Sequence, residues 1–225
     1  MSAQTPPGKE APADKLREKA YRSFTQHLLA HDVRPGQFVS QRELVELTGM
    51  PLGAIRELVP RLEAEGLITT IPKRGMQIAS LDLNLVRDAY QFRLIVEKEA
   101  VAHFIKSASE EEIRTVEKTH FNILEEAKSG PITAELEARA QTVDWSFHDL
   151  IVDAMQNEIV SKAYQVNSIK IRLIRKELTR IDGHVISAMT EHMSIVGAIV
   201  QRDTEAAISA TARHIQTARD RAIGL

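Results

Sequence analysis

Beyond Leu83 the chain almost runs out of residues that break helices. Of eight prolines only Pro131 lies there, and of ten glycines only Gly130, Gly183, Gly197 and Gly224. Apolar residues recur at helical spacing throughout this stretch, so it can fold only as helices that share a core. The remaining stop signals predict six segments, at about 84–106, 109–128, 131–155, 158–180, 183–201 and 203–222. Ser109 with Glu112 has the form of a capping box, Gly130-Pro131 separates the second segment from the third, and Asp203 can cap the last. With 43% hydrophobic but only 4% aromatic residues, the core is expected to be aliphatic. The fold class is mainly α, with an antiparallel bundle of about six helices over residues 81–225.

The first eighty residues read differently. A helix is expected from about Asp14 to Ala30, stopped by Arg34-Pro35-Gly36. Ser40 and Glu43 form a second capping-box pattern, opening a short helix from Gln41 to Leu47. Another follows Pro51 and stops at Gly66, with Pro60 inside it as a possible kink. LITTIP and GMQIAS then alternate around Pro72-Lys73-Arg74-Gly75, which predicts a β-hairpin with a basic tip. Helix, helix, turn, helix and a two-stranded ribbon together make a winged helix-turn-helix over residues 14–80. Residues 1–13 are rich in proline and small or polar side chains and read as a disordered lead-in without the apolar segment of a secretory signal.

The chain has no cysteine, so a transition metal here would have to be held by His, Asp or Glu. No apolar run reaches membrane-spanning length, so no membrane partner is expected and the default location is cytoplasmic. The net charge of −2 is uninformative as a whole. Split after Ser80, it becomes +2 for the first part and −4 for the second, a mild pointer to a polyanion partner for the N-terminal region.

In QTVDWSFHDLIVDAMQN, residues 141–157, Asp144 and His148 stand four apart beside the apolar stripe Val143, Phe147, Leu150, Ile151 and Ala154. That spacing stacks a carboxylate and an imidazole on one helix face, half of a metal site in a bundle. A plain Asp–His contact is the alternative. His192 and His214, each on its own predicted helix, could complete the set or be core histidines. His184 lies too far along its helix from His192 to join the same ion. His27, His31, His103 and His120 have no partner pattern and read as structural or surface residues.

The run PGQFVSQRELVELTGMPLGAIRELVPRLEAEGLITTIPKRGMQIA resembles the DNA-binding domain of GntR-family bacterial transcription regulators. Arg34-Pro35-Gly36, Leu44, Arg56-Glu57-Leu58, Leu62, Glu65-Gly66-Leu67 and Arg74-Gly75 carry the match. The resemblance implies DNA contacts at Arg42, Arg56, Arg74 and Gly75. Arg56 could instead pair with a carboxylate, and Lys73-Arg74 could be a solvated tip. The chain departs from the family where Pro51-Leu52 replaces the usual Ser-Arg at the start of the recognition helix. The C-terminal part resembles the FCD effector domains of the FadR branch, in the six-helix VanR-like group, through Arg93–Glu97, Asp144–His148, Glu191-His192 and His214. This implies a divalent metal held by Asp144, His148, His192 and His214, zinc fitting best and nickel, manganese or iron also possible. It further implies that Arg93 binds a small carboxylate effector, unless Arg93 and Glu97 simply pair along their helix.

The expectation is a homodimeric regulator, a repressor in its simplest form and not an enzyme, acting on a pseudo-palindromic double-stranded operator. Alternatives are the same architecture with a structural or empty metal site and another effector, or a metal-dependent hydrolase.

Overall fold

A computed structural model describes residues 12–178 and 184–224. The chain divides after Leu81 into two compact units.

The first unit comprises α1 (Pro12–Ala30), β1 (Phe38–Val39), α2 (Gln41–Thr48), α3 (Leu52–Ala64), β2 (Ile68–Ile71) and β3 (Gly75–Ile78). Helix α1 packs on α2 and α3, burying Ala20, Phe24 and Leu28 against a core that includes Leu44, Ile55, Leu58 and Leu62. These positions recur every three or four residues, so each helix turns one apolar face inward. The expected capping box is present at α2: the Glu43 amide donates to the Ser40 hydroxyl, and Glu43 in turn accepts from the Ser40 amide. Gly49 ends α2 in the left-handed conformation. Helix α3 continues through Pro60 to Ala64.

The sheet has one strand more than the sequence suggests. β1 pairs antiparallel with β3, which pairs antiparallel with β2, giving the order β1-β3-β2. Two residues are too few to show alternation, so β1 left no periodic trace. Its pairing accounts for Gly75, whose φ of +98° lies outside the usual range of L side chains and whose added Cβ would stand 3.0 Å from the Val39 carbonyl oxygen.

The second unit is built of α4 (Leu83–Ser107), α5 (Glu110–Ser129), α6 (Ala134–Asp153), α7 (Glu158–Leu178), α8 (Val185–Val200) and α9 (Thr204–Ala222). α4 packs on α9, α6 and α7; α5 packs on α8; and α8 packs on α9. Ser109 and Asp203 cap α5 and α9 as expected, whereas α6 starts at Ala134 under a Thr133 cap, three residues after Pro131. α1 starts at Pro12, two residues before the sequence suggests. The rest of the lead-in, the end of the fourth segment after Leu178 and the start of the fifth lie outside the described residues.

Two apolar clusters of this unit, among the described residues, bear on the site. One contains Val101, Phe104, Ile113, Val116, Phe147, Ile151, Ile195 and Ile199; the other contains Ile123, Leu124, Leu136, Ala140, Val185 and Met189. On α5, α6 and α8 the same gap separates them. His120 falls between Val116 and Ile123, Asp144 between Ala140 and Phe147, and His192 between Met189 and Ile195. A polar layer thus crosses the bundle at one level.

Candidate metal centre

Asp144 and His148 come from successive turns of α6, His192 from α8 and His214 from α9, and all four are buried. Each offers one ligand atom, and these atoms lie within 4.8 Å of one another. Nε2 of His192 is 3.3 Å from Nε2 of His214 and 3.3 Å from Oδ1 of Asp144. Four ligands arranged tetrahedrally at bond lengths of about 2.0–2.1 Å stand about 3.3 Å apart.

The other ring nitrogens fix which atoms carry protons. His120 Nδ1 is 2.7 Å from the Val116 carbonyl oxygen, which can only accept, so this nitrogen holds a hydrogen. Burial, helped by His192, pushes the His120 imidazole down to about 4, so at neutral pH its Nε2 is bare. Nε2 therefore accepts from His192 Nδ1 at 3.2 Å. His192, itself pushed down by burial and then by His214, consequently turns a bare Nε2 to the centre. His214 Nδ1 donates to Glu191 Oε2 at 2.8 Å, leaving Nε2 as its inward atom. His148 Nδ1 lies 2.8 Å from Glu97 Oε2 without the alignment of a hydrogen bond, and its Nε2 has no partner among the described residues. Anchoring the far nitrogen of an imidazole, as in His192 and His214, sets the orientation of a ligating histidine.

Around this layer every buried acid has an arginine. Burial alone would raise the Glu97 carboxyl, but Arg93 and then His148 outweigh it and hold it well below the carboxylate range. Glu97 Oε1 accepts from Arg93 Nε at 2.5 Å and from the Tyr164 hydroxyl at 2.6 Å. Burial likewise opposes ionisation of Asp144, and Arg175, which donates to Oδ2, prevails. Arg221 pairs with Glu191, and Arg172 Nη2 with Asp149 Oδ2 at 2.7 Å.

The intrahelical Arg93–Glu97 pair weighed as the plain alternative is thus present. Arg93 gives its Nε to that pair, and its buried Nη2 has no partner among the described residues. Of the two readings for His120, structural or surface, the structure shows the first: it is buried and hydrogen-bonded to His192. Its place after Ile113 and Val116 and before Ile123 on the inner face of α5 was the available signal. Tyr164, Arg172 and Arg175 join the site too; spacings of eight and three, which put them near one face of α7, are their sequence signal. His184 is exposed at the start of α8.

Of the residues named for DNA, Arg42, Arg56 and Arg74 are exposed. Arg42 Nε is 3.1 Å from Glu46 Oε1, and the Arg74 guanidinium lies 4.3 Å over the Phe38 ring. Leu52, at the first position of α3, is 41% exposed.

The FCD domain family matches residues 88–217, more than half of the chain and the whole of the polar layer. The chain belongs to the FCD-domain family. Relatives that are transcriptional regulators agree with this. The Nta operon transcriptional regulator of Aminobacter aminovorans is 29% identical over 65% of this chain and 67% of its own length. The HTH-type transcriptional regulator YdhC of Bacillus subtilis is 26% identical over 77% of this chain and 76% of its own. Among solved structures, a GntR protein from Rhodococcus sp. RHA1 superposes with a TM-score of 0.74 at 16% identity, covering 94% of this chain and 98% of that one. E. coli McbR/YncC gives 0.71 at 13% identity over 93% and 95%. This FCD protein is a transcriptional regulator, and no helix among its described residues is long and apolar enough to cross a membrane.

The buried histidines give the FCD unit a pH dependence of defined sign. His120 and His148 titrate at about 4 and about 3 when folded, against about 6.5 unfolded. Below pH 6.5 the unfolded chain therefore binds protons that the folded chain refuses, and stability falls as pH drops towards 4. Glu97 and Asp144 are depressed instead, so their contribution is lost only below their unfolded values, near pH 4. Metal-free protein is expected to have a lower urea midpoint at pH 5 than at pH 7, and equal midpoints would contradict the neutral, buried state of these rings.

Proposed function

We propose that this FCD regulator is a repressor whose affinity for operator DNA is set by a small organic carboxylate bound at a metal centre. Asp144, His148, His192 and His214 would hold the ion. The observation that carries this reading is the convergence of four ligand atoms, of which Oδ1 of Asp144 and Nε2 of His148 have no hydrogen-bond partner among the described residues, while Nε2 of His192 and Nε2 of His214 face each other at 3.3 Å. Buried acceptors without donors are costly, and a divalent cation satisfies them together. Three imidazoles and one carboxylate suit zinc best, with nickel, manganese or iron(II) also compatible. The ion would supply positive charge and a coordination position for a carboxylate oxygen, with Arg93 Nη2 beside it as a further donor.

The N-terminal unit is read as a winged helix-turn-helix, with α3 entering the major groove and the β2–β3 hairpin as the wing. Arg42 and Arg56 would contact phosphates or base edges, and Arg74 with Gly75 would bring the wing to the minor groove. Leu52, apolar and exposed where the helix starts, suits contact with a thymine methyl. A homodimer would match a pseudo-palindromic operator.

A second reading has a specific observation behind it. Nε2 of His214 stands within hydrogen-bond reach of Nε2 of His192, at 3.3 Å, while Glu191 holds its Nδ1, so the layer would be structural and another ligand would regulate the protein. Elemental mass spectrometry of untagged protein decides between them. The metal reading expects about one ion per chain, lost in a His148→Ala, His214→Ala double variant. No ion after incubation with Zn²⁺ or Ni²⁺ leaves the second reading. For the DNA unit, Arg56→Ala should weaken binding to the protein's own promoter region roughly tenfold or more in a gel shift, the range expected for one lost arginine contact. Unchanged affinity takes Arg56 out of the interface.

A further inference from the structure

The turn between α2 and α3 and the opening of α3 carry no polar side chain. From Gly49 to Ile55 no side chain contains a nitrogen or an oxygen. Helix α3 starts behind Pro51, without the side-chain hydrogen bond that caps α2, α4, α5, α6 and α9. Ala54 and Ile55 are buried, which leaves Pro51, Leu52 and Gly53 as the exposed surface of this opening. Leu52 is 41% exposed. A leucine at that exposure contributes little to the core, and its apolar surface is available to a partner.

Gly53 is a second observation at the same place. It lies in helical backbone, and a Cβ placed on it would meet nothing within 4 Å. Glycine weakens a helix relative to alanine, and neither backbone conformation nor internal packing accounts for it here. A bare backbone beside an exposed leucine fits the close approach of another molecule. Arg56, one turn after Leu52 on the same exposed face of α3, gives that molecule its sign of charge. With Arg56 on DNA, Leu52 meets the major groove at the N-terminal end of the helix, where base edges are read. Among the four ordinary bases, the one apolar group displayed there is the C5-methyl of thymine.

We propose that Leu52 is a specificity-determining methyl reader: it selects one position of each operator half-site by burying a C5-methyl group, with no hydrogen bond to the base. The inference rests on the reading above of α3 as the helix that enters the major groove. A leucine side chain neither donates nor accepts, so it is blind to the hydrogen-bonding pattern that separates one base edge from another. Uracil keeps every hydrogen-bonding group of thymine but fails at this position, because the methyl is gone. 5-Methylcytosine, with the methyl in the same place on a different edge, satisfies Leu52 as thymine does. Unmethylated cytosine leaves the leucine against a polar edge, which costs the burial.

The test uses full-length protein and the stretch of its own promoter region that it protects. Thymines in that stretch are replaced one at a time by deoxyuridine, and affinity is followed by fluorescence anisotropy. At one thymine per half-site the replacement is expected to weaken binding about three- to fivefold, the worth of burying one methyl group. At the same position a 5-methylcytosine·guanine pair should bind more tightly than cytosine·guanine by a similar factor. Leu52→Ala, a change at an exposed helical position, should abolish both differences. A bound stretch in which no thymine is sensitive to the loss of its methyl overturns the proposal, and this comparison needs no variant to fold. Sensitivity that persists in Leu52→Ala also overturns it, since another residue then reads the methyl. Both of those results leave the DNA-binding reading of α3 standing. If no part of the promoter region is bound, that reading itself fails, and the inference fails with it.

Discussion

Zn²⁺ added to metal-free protein should raise its melting temperature by roughly 5–10 °C once the free ion reaches about a hundred times its dissociation constant. An ion that binds only the folded chain stabilises by ~2.7 kcal/mol at that excess, and each kcal/mol moves the midpoint of a domain of this size by roughly 2–4 °C. The physical source of the gain is the set of acceptors that burial has left without donors, so the ion replaces repulsion rather than adding to contacts already made. His192→Ala should abolish the Zn²⁺ response. His192 Nε2 stands 3.3 Å from both Asp144 and His214, and its removal also leaves His120 Nε2 without a donor. Mg²⁺ should do almost nothing, because a hard cation prefers oxygen ligands and imidazole offers it little. A midpoint that ignores Zn²⁺, or a His192→Ala variant that responds like the wild type, would remove this layer as a metal site.

Glu97→Ala is expected to be the most damaging single change in the bundle, costing about 3–5 kcal/mol. Glu97 is fully buried and meets three groups from three helices: Arg93 on α4, Tyr164 on α7 and His148 on α6. Truncation leaves the Arg93 guanidinium, which is 2% exposed, buried without its paired counter-charge. The cost belongs mainly to that orphaned charge. Arg93→Met combined with Glu97→Met should therefore recover most of the loss, since an apolar pair of similar length needs no partner. Urea denaturation of the two variants measures the difference. A Glu97→Ala cost below about 1 kcal/mol would mean that water reaches Arg93 and that the pair is not dry.

The helical second unit was legible because its periodicity is long and uninterrupted, and the capping residues Ser40, Ser109 and Asp203 act where their spacing put them. The two-residue strand β1 was not, since pairing with β3 rather than local pattern creates it. Within the polar layer, residues standing four apart on one helix announce themselves, as Asp144 and His148 do. Partners contributed by different helices do not: His120 meets His192 across 72 residues, and Tyr164 meets Glu97 across 67. Arg172 and Arg175 are hard to read from sequence for another reason. Arginine on a helix is usually solvated, and only the acids Asp149 and Asp144 on α6 give these two a buried role.

The placement of the layer between two apolar clusters has a bearing on how the bundle avoids its own misfolds. Leucine, isoleucine and alanine interdigitate in many ways, and α5, α6 and α8 could slide past one another by a turn with little loss of buried area. They cannot do so with His120, Asp144 and His192 at one height, because a shift of one turn would press an imidazole or a carboxylate into aliphatic surroundings. Replacing Asp144, His148, His192 and His214 together by leucine should then give a bundle that resists urea at least as well as the natural one. Its amide resonances, however, should be broadened by exchange between alternative alignments. The polar layer would act as a ruler laid across the helices, and the same four residues that would hold an ion would also select one alignment from several of similar energy.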